Sequence, residues 1–251
     1  MSQLAGRVAI VTGGVQGIGL GVSMCLARAG ANVMLAELVE HNIPSAVAEI
    51  ERVGVKAYGV QTNVADSDSV DLMVQTTLER FGQIDILVNN AGLVNAKHIS
   101  QQTETDYDAV LDVNLKGTFL CCTRVMNEMS KRRKGAIVNI ASMAAFRYTI
   151  PHVPYAASKA GIVALTRDLA VEVGRMGIRV NAIAPGSIES PGNSLSQIAT
   201  GESDEERSER IKAIPLGRIG QPTDIGNAVV FLASDAAGYI SGATLPVTGG
   251  K

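Results

Sequence analysis

The chain alternates short apolar runs with longer amphipathic segments. Residues 8–11, 33–36, 57–60, 84–88, 136–140, 178–183 and 244–247 form runs of strand length with little polar alternation. Between them lie helix-length segments at 18–29, 43–53, 69–81, 106–130, 155–173 and 223–233. In the first of these, Ile18, Val22, Leu26 and Ala29 recur at helical spacing. Strands that are apolar throughout are buried on both faces, the mark of a parallel sheet between helices. The pattern predicts an α/β fold, a doubly wound parallel sheet with helices on both faces. No linker or internal repeat divides it, so residues 1–251 read as one domain.

Two segments depart from this regularity. The helix at 106–130 runs into Lys131, Arg132, Arg133 and Lys134, followed by Gly135. Basic residues and a glycine suit a helix C-terminus, so the cluster reads as a cap rather than an anion site. Residues 187–214 are polar and rich in Gly, Ser and Glu. Ser203 and Glu206 have capping-box spacing, so a short helix is expected to start there. A long polar excursion inside a compact domain reads as a substrate lid.

Composition narrows the functional classes. The chain has 22 basic and 24 acidic residues, so no overall basic field attracts nucleic acid or membrane. Trp is absent and aromatics make up 4%, which argues against stacking platforms for single strands. Cys25, Cys121 and Cys122 form no CxxC and cannot all pair. They read as small buried apolar residues in a reducing compartment, with no metal site. No signal-like segment opens the chain, and no apolar run approaches the ~20 residues of a membrane span. A cytoplasmic location is expected.

The 26 glycines exceed the ~7% average. Some have an evident purpose. The first strand runs into Thr12-Gly13-Gly14-Val15-Gln16-Gly17-Ile18-Gly19 and then a helix. Free amides and the positive end of the helix dipole favour a pyrophosphate there, and glycines let the backbone come close. This makes a Rossmann-type dinucleotide site the candidate, with tight structural turns as the competing reading. The second strand ends in Ala36-Glu37-Leu38, and Glu37 stands 18 residues after Gly19. An acid there suits the adenosine ribose hydroxyls of NAD. It opposes NADP: a carboxylate about 4 Å from a 2′-phosphate costs about 4 kcal/mol per unit charge pair at a dielectric of about 20. Neither Gln16 nor Leu38 offers a cation to accept that phosphate.

Asn89-Asn90-Ala91-Gly92 follows the fourth strand. Asn114, Ser142, Tyr155-x3-Lys159 and Pro185-Gly186 come later in order. With these motifs the whole chain resembles the short-chain dehydrogenase/reductase family. Tyr155 and Lys159 are four apart on a helix and share a face. A free tyrosine has a pKa near 10, and a nearby ammonium favours its phenolate. Tyr155 could then exchange a proton with an alcohol or carbonyl oxygen. The resemblance implies that Lys159 also holds the nicotinamide ribose, that Ser142 bonds the substrate oxygen, and that Asn114 holds a relay water. It implies cofactor contacts at Gly13, Gln16, Gly17, Ile18, Gly19, Glu37, Leu38, Asn63, Val64, Asn90, Ala91 and Gly92. It implies further contacts at Tyr155, Lys159, Pro185, Gly186, Ile188 and Ser190. Three departures stand out. Asn63 replaces the family's usual Asp before Val64, with its oxygen still available to an adenine amino group. Ser190 replaces the usual Thr, and Thr248 the usual Asp.

The substrate pocket is expected to draw on residues 93–96, 143–153 and the lid. Met143, Ala144, Phe146 and Ile150 supply an apolar wall. Arg147 and His152 could meet a polar group, although exposure is the default for both. His152 is not needed as a base beside Tyr155. Ala156, Ala160 and Ala164 form a small-residue stripe, which could meet another subunit or pack on the chain's own sheet. The resemblance favours a homotetramer.

The leading expectation is an NAD-dependent enzyme interconverting a small secondary alcohol and its ketone. The alternative enzyme is a carbonyl reductase, such as a 3-oxoacyl thioester reductase, which the last third of the chain resembles. The non-enzyme alternative is a dinucleotide-binding regulator. Intact Asn114, Ser142, Tyr155 and Lys159 weigh against it.

Overall fold

A computed structural model of the chain describes residues 3–148, 152–189 and 202–251. Its strands are β1 (Val8–Thr12), β2 (Asn32–Glu37), β3 (Ala57–Gln61), β4 (Ile86–Asn89), β5 (Gly135–Ile140), β6 (Ile178–Pro185) and β7 (Thr244–Val247). They form one parallel sheet in the order β3-β2-β1-β4-β5-β6-β7. In register, Ile10 sits between Met34 of β2 and Leu87 of β4. The helices are α1 (Gly17–Arg28), α2 (Ile43–Glu51), α3 (Ser67–Phe81), α4 (Glu104–Leu111), α5 (Gly117–Arg132), α6 (Val153–Val173), α7 (Asp204–Lys212) and α8 (Pro222–Ala233).

Side-chain alternation divides the core into two layers. Ala9, Val11, Val33, Leu35, Ile86 and Val88 point to one face, where α1, α2 and α8 pack through residues such as Leu26, Ile50 and Val229. Ile10, Met34 and Leu87 point to the other, against Met73 of α3, Val125 of α5 and Val173 of α6. Each strand is covered on both sides, so its sequence reads as continuously apolar. Chain direction across the sheet reverses at β1, which lies between β2 and β4. Such a switch point opens a crevice at the carboxyl ends of the strands.

Most helix boundaries carry their expected signals. Asp66 caps α3 by accepting from the Ser69 amide, and Gly82 ends that helix in the left-handed region. Ser203 and Glu206 form the expected capping box at α7.

Two expectations are corrected. The segment 106–130 is not one regular helix. A π-helical turn, Asp112–Lys116, separates α4 from α5. Asn114 lies in this turn, buried, with its amide bonded to both backbone groups of Leu93 in another loop. Nor does Gly135 cap α5. Arg133 takes the left-handed cap position at φ 51°, held by its guanidinium donating to the Arg175 carbonyl. Gly135 opens β5 instead, where a Cβ would lie 2.3 Å from the Met129 sulfur.

The three cysteines are free thiols and buried. Burial pushes Cys122 up to about 12 and Cys121 higher still, so neither is a ready nucleophile. Among the described residues, no helix is long and apolar enough to cross a membrane.

Candidate active site

A cleft of about 370 Å³ runs along the carboxyl ends of the strands. That volume lies within the ~300–1,000 Å³ of small-molecule and cofactor sites. Its floor at the switch point is the glycine loop. Gly13 has φ +61°, and a Cβ there would sit 3.1 Å from the Ala91 Cα. A Cβ on Gly19 would sit 1.9 Å from the Gly13 carbonyl oxygen. Only glycine permits this approach.

A hydrogen-bonded seam ties the glycine loop to the turn after β4. Thr12 Oγ1 accepts from the amides of Asn90 and Ala91, both at 3.0 Å. Asn90 Nδ2 donates back to the carbonyls of Thr12 (3.0 Å) and Gly13 (2.9 Å). Gln16 precedes α1 without a side-chain cap, and the helix's first turn carries no acid. Its early amides are thus left for an anionic ligand.

At the end of β2, Glu37 is only 8% exposed. Burial raises its pKa, while hydrogen bonds from the amides of Val39 and Leu38 oppose the rise. Lys159 is the one cation lining the cleft among the described residues, and it lies at the other end. Asn63 and Val64 line the wall beyond β3. Asn63 Oδ1 accepts from the Ala65 amide at 3.1 Å, which leaves a second lone pair for an adenine amino group.

The far end of the cleft gathers Ser142, Tyr155 and Lys159, with Pro185, Gly186 and Ile188 from the end of β6. Ser142 caps a 3-10 turn by accepting from the Ala144 amide. Its side chain lines the cleft beside Tyr155 and acts to lower the phenol pKa. Lys159 Nζ donates to the Ile140 carbonyl at 2.8 Å and lies 5.5 Å from the Tyr155 ring centre. Burial pulls Lys159 down to about 8. Burial pushes Tyr155 up, and the Ser142 side chain only partly offsets it. The expected drop in the phenol pKa therefore does not arise from the protein's own groups: desolvation outweighs the ammonium.

Asn114 lies behind the cleft, fully buried, rather than on its wall. Its Oδ1 accepts from the Leu93 amide at 2.7 Å, and Nδ2 donates to the Leu93 carbonyl (2.9 Å) and Ser158 Oγ (3.0 Å). Ser158 Oγ in turn donates to the Tyr155 carbonyl at 2.7 Å. Only the second lone pair of Oδ1 remains for a water.

Most of the expected cofactor residues line this one cleft. Gly17 lies off its wall, as the first residue of α1. Ser190, Ile150 and the middle of the expected lid fall outside the described residues. Leu93 and Val94 line the cleft as expected; Ala36, Thr62, Val113, Ile140 and Ala141 join them without having been singled out. All five but Val113 sit at or just past a strand end, a positional signal that any parallel sheet offers. His152 departs from its expected exposure: it is 4% exposed, with its ring centre 4.9 Å from that of Tyr155. Arg147 and Phe146 are exposed.

The glycine cradle, uncapped helix start and terminal carboxylate fit a dinucleotide, and comparison with known proteins agrees. A family model described as enoyl-(acyl carrier protein) reductase matches residues 13–251. The chain is 40% identical over 245 residues to a 3-oxoacyl-[acyl-carrier-protein] reductase of Staphylococcus aureus, covering 97% of each. It is 38% identical over 246 residues to a subunit of (2S)-[(R)-hydroxy(phenyl)methyl]succinyl-CoA dehydrogenase of Thauera aromatica, covering 98% of this chain and 96% of that one. The structure of NAD⁺-bound xylitol dehydrogenase superposes with a TM-score of 0.92 at 31% identity, covering 99% of this chain and 100% of that one. Fold, motifs and relatives agree that the chain belongs to the short-chain dehydrogenase/reductase family of nicotinamide-dependent oxidoreductases.

Proposed function

We propose that the chain is an NAD-dependent oxidoreductase that interconverts a secondary alcohol and its ketone, with Tyr155 as general acid and base. The observation that carries this reading is that Ser142, Tyr155 and Lys159 line the same end of one cleft, with the Lys159 ammonium 5.5 Å from the phenol ring. Two hydroxyls lining the same end of a cleft can both bond a single carbonyl or alcohol oxygen. A bound NAD supplies the acceptor or donor of hydride. Tyr155 Oη gives or takes the proton at the substrate oxygen, and Ser142 Oγ donates a hydrogen bond to it. The glycine loop and α1 would hold the pyrophosphate, Glu37 the adenosine ribose and Lys159 the nicotinamide ribose. Pro185, Gly186 and Ile188 would face the carboxamide. NAD is favoured over NADP by Glu37 and, among the described residues, by the lack of a cation at that end of the cleft. The NAD⁺-bound xylitol dehydrogenase supports the same choice.

A second reading, reduction of a 3-oxoacyl thioester, is favoured by a separate observation. Burial favours the neutral Tyr155 phenol, the form that donates to a carbonyl. The curated relatives at 40% identity carry that activity in their names. The test is nicotinamide absorbance during turnover, with NAD(H) and NADP(H) in parallel. Polyols, sugars, hydroxy acids and cyclic alcohols probe oxidation, and an acetoacetyl thioester probes reduction. Faster turnover with NADPH than with NADH would overturn the NAD assignment.

The subunit reading is a homotetramer in the cytoplasm. Ala160 and Ala164 are exposed on α6 rather than packed on the sheet. Phe119 and Val171, also exposed, add apolar surface on α5 and α6. The free cysteines suit a reducing compartment. Light scattering on the purified chain tests the assembly.

A further inference from the structure

A second cavity, of about 450 Å³, lies at the amino edge of the sheet, where β5 and β6 begin. The cleft already described lies at the opposite edge and shares no residue with it. Its volume falls in the range of small-molecule sites. The charged groups lining it are Arg7, Asp85, Lys134, Arg179 and Asp235. Both carboxylates are already matched. Arg7 Nη2 donates to Asp235 at 2.6 Å, and Asp85 accepts from Arg132 at 2.9 Å. That leaves Lys134 and Arg179, which pair with no carboxylate among the described residues. Arg179 is held by the carbonyls of Leu232, Ser234 and Ile240 instead. Burial, and then the neighbouring Arg7 charge, lower its pKa against the pull of Asp235. A guanidinium stays charged nonetheless. Lys134 closes the basic run after α5. The rest of that run is engaged: Lys131 with Glu128, Arg132 with Asp85 and Arg133 with the Arg175 carbonyl.

We propose that this cavity binds a phosphate group, held by Lys134 and Arg179 with Arg7 and Ser241 as further donors. The lining offers donors in excess. Arg7 keeps N–H groups beyond those bonded to Asp235 and the Ala233 carbonyl, and Arg179 keeps others. Ser241 Oγ accepts from the Val180 amide at 3.2 Å, which leaves its hydrogen to donate. A phosphate oxygen accepts from all of these, and charge-assisted bonds of this kind are the strong ones. A phosphate group carries about −1.5 to −2 charge at neutral pH, which complements the two unmatched cations. Free phosphate and the phosphate of a small monoester present the same chemistry here. The site takes no part in the hydride transfer proposed above, and it stands whether or not that reading does.

Isothermal titration calorimetry on the full chain tests the proposal, with inorganic phosphate in one arm and glycerol 3-phosphate in the other. Excess NADH is present throughout, so that the glycine loop does not take up the titrant. Lys134 is exposed, and its variants should fold as the parent does, which melting temperature checks. The parent should show saturable binding with one site per chain. Lys134→Gln should weaken it about tenfold, the share of one charge-assisted hydrogen bond. Lys134→Glu should abolish it, and Lys134→Arg should keep it. Arg179→Lys retains the charge and loses the fork, so binding should weaken without vanishing. Equal binding in the two arms assigns the site to the phosphate alone, and tighter binding of glycerol 3-phosphate assigns it to a phosphomonoester. Absence of saturable binding in both arms overturns the proposal. So does binding that survives unchanged in folded Lys134→Glu, because the phosphate would then sit elsewhere on the chain.

Discussion

Asn114 holds Leu93 by both of its backbone polar groups, accepting from the amide at 2.7 Å and donating to the carbonyl at 2.9 Å. The pair joins the π-turn between α4 and α5 to the loop after β4, so one side chain fixes a wall of the cleft. Asn114→Ala leaves those two groups without their partner. Each buried unsatisfied group costs about 1–3 kcal/mol, so a loss of about 2–4 kcal/mol in unfolding free energy is expected. Urea denaturation measures it. Asn114→Asp keeps the acceptor and loses the donor, and should fall between the two.

Tyr155→Phe removes the hydroxyl proposed to exchange a proton with the substrate oxygen. Turnover should fall by about 10²–10⁴-fold, the usual share of general acid–base catalysis. NADH binding, followed by fluorescence, should persist. Loss of both together would assign Tyr155 to cofactor binding instead. Because burial raises the phenol pKa, ketone reduction should hold a plateau through neutral pH. Alcohol oxidation, which needs the phenolate, should climb with pH.

Glu37 should set the choice between NAD and NADP. Glu37→Ala should narrow the ratio of the two kcat/KM values, mainly by improving NADP. Acid should act in the same direction. The carboxyl's pKa is raised by burial, so it takes up its proton at a higher pH than an exposed glutamate. Below that point the group is neutral and no longer repels a 2′-phosphate. The preference for NAD should therefore weaken as pH falls, and Glu37→Ala should abolish that trend. Initial rates across a pH series provide the check.

Lys159 makes stability depend on pH. Burial lowers it from 10.5 to about 8 in the folded chain. Between those values the unfolded chain binds more protons, so stability rises with pH through that window. Below pH 8 the penalty for a buried ammonium is present in full. Lys159→Met has no such group, so the parent should gain on it from about pH 8 to 10.5. Melting temperatures across that range test the slope.

The sheet was legible because every strand is apolar on both faces, and the two packed layers require that. That the glycine loop and Glu37 meet in one cleft was legible because glycines and a strand-end acid have fixed places in such folds. The π-turn was not: 106–130 keeps helical periodicity, and the turn coincides with Asn114, whose partner Leu93 is 21 residues away. The α5 cap was misread because an αL arginine is costly, and only its bond to Arg175 reveals what holds it. The Tyr155 pKa went the other way because spacing reports the neighbouring charge but not the depth of burial.

The glycine turns at the amino edge of the sheet have a practical consequence. Gly54 and Gly82 both lie between a helix and the next strand, with open space where a side chain would begin. The cleft lies at the opposite edge and takes no residue from either turn. Peptide tags, fluorescent labels or whole guest domains spliced into these turns should leave the chemistry intact, giving this scaffold two handles that its active site does not feel.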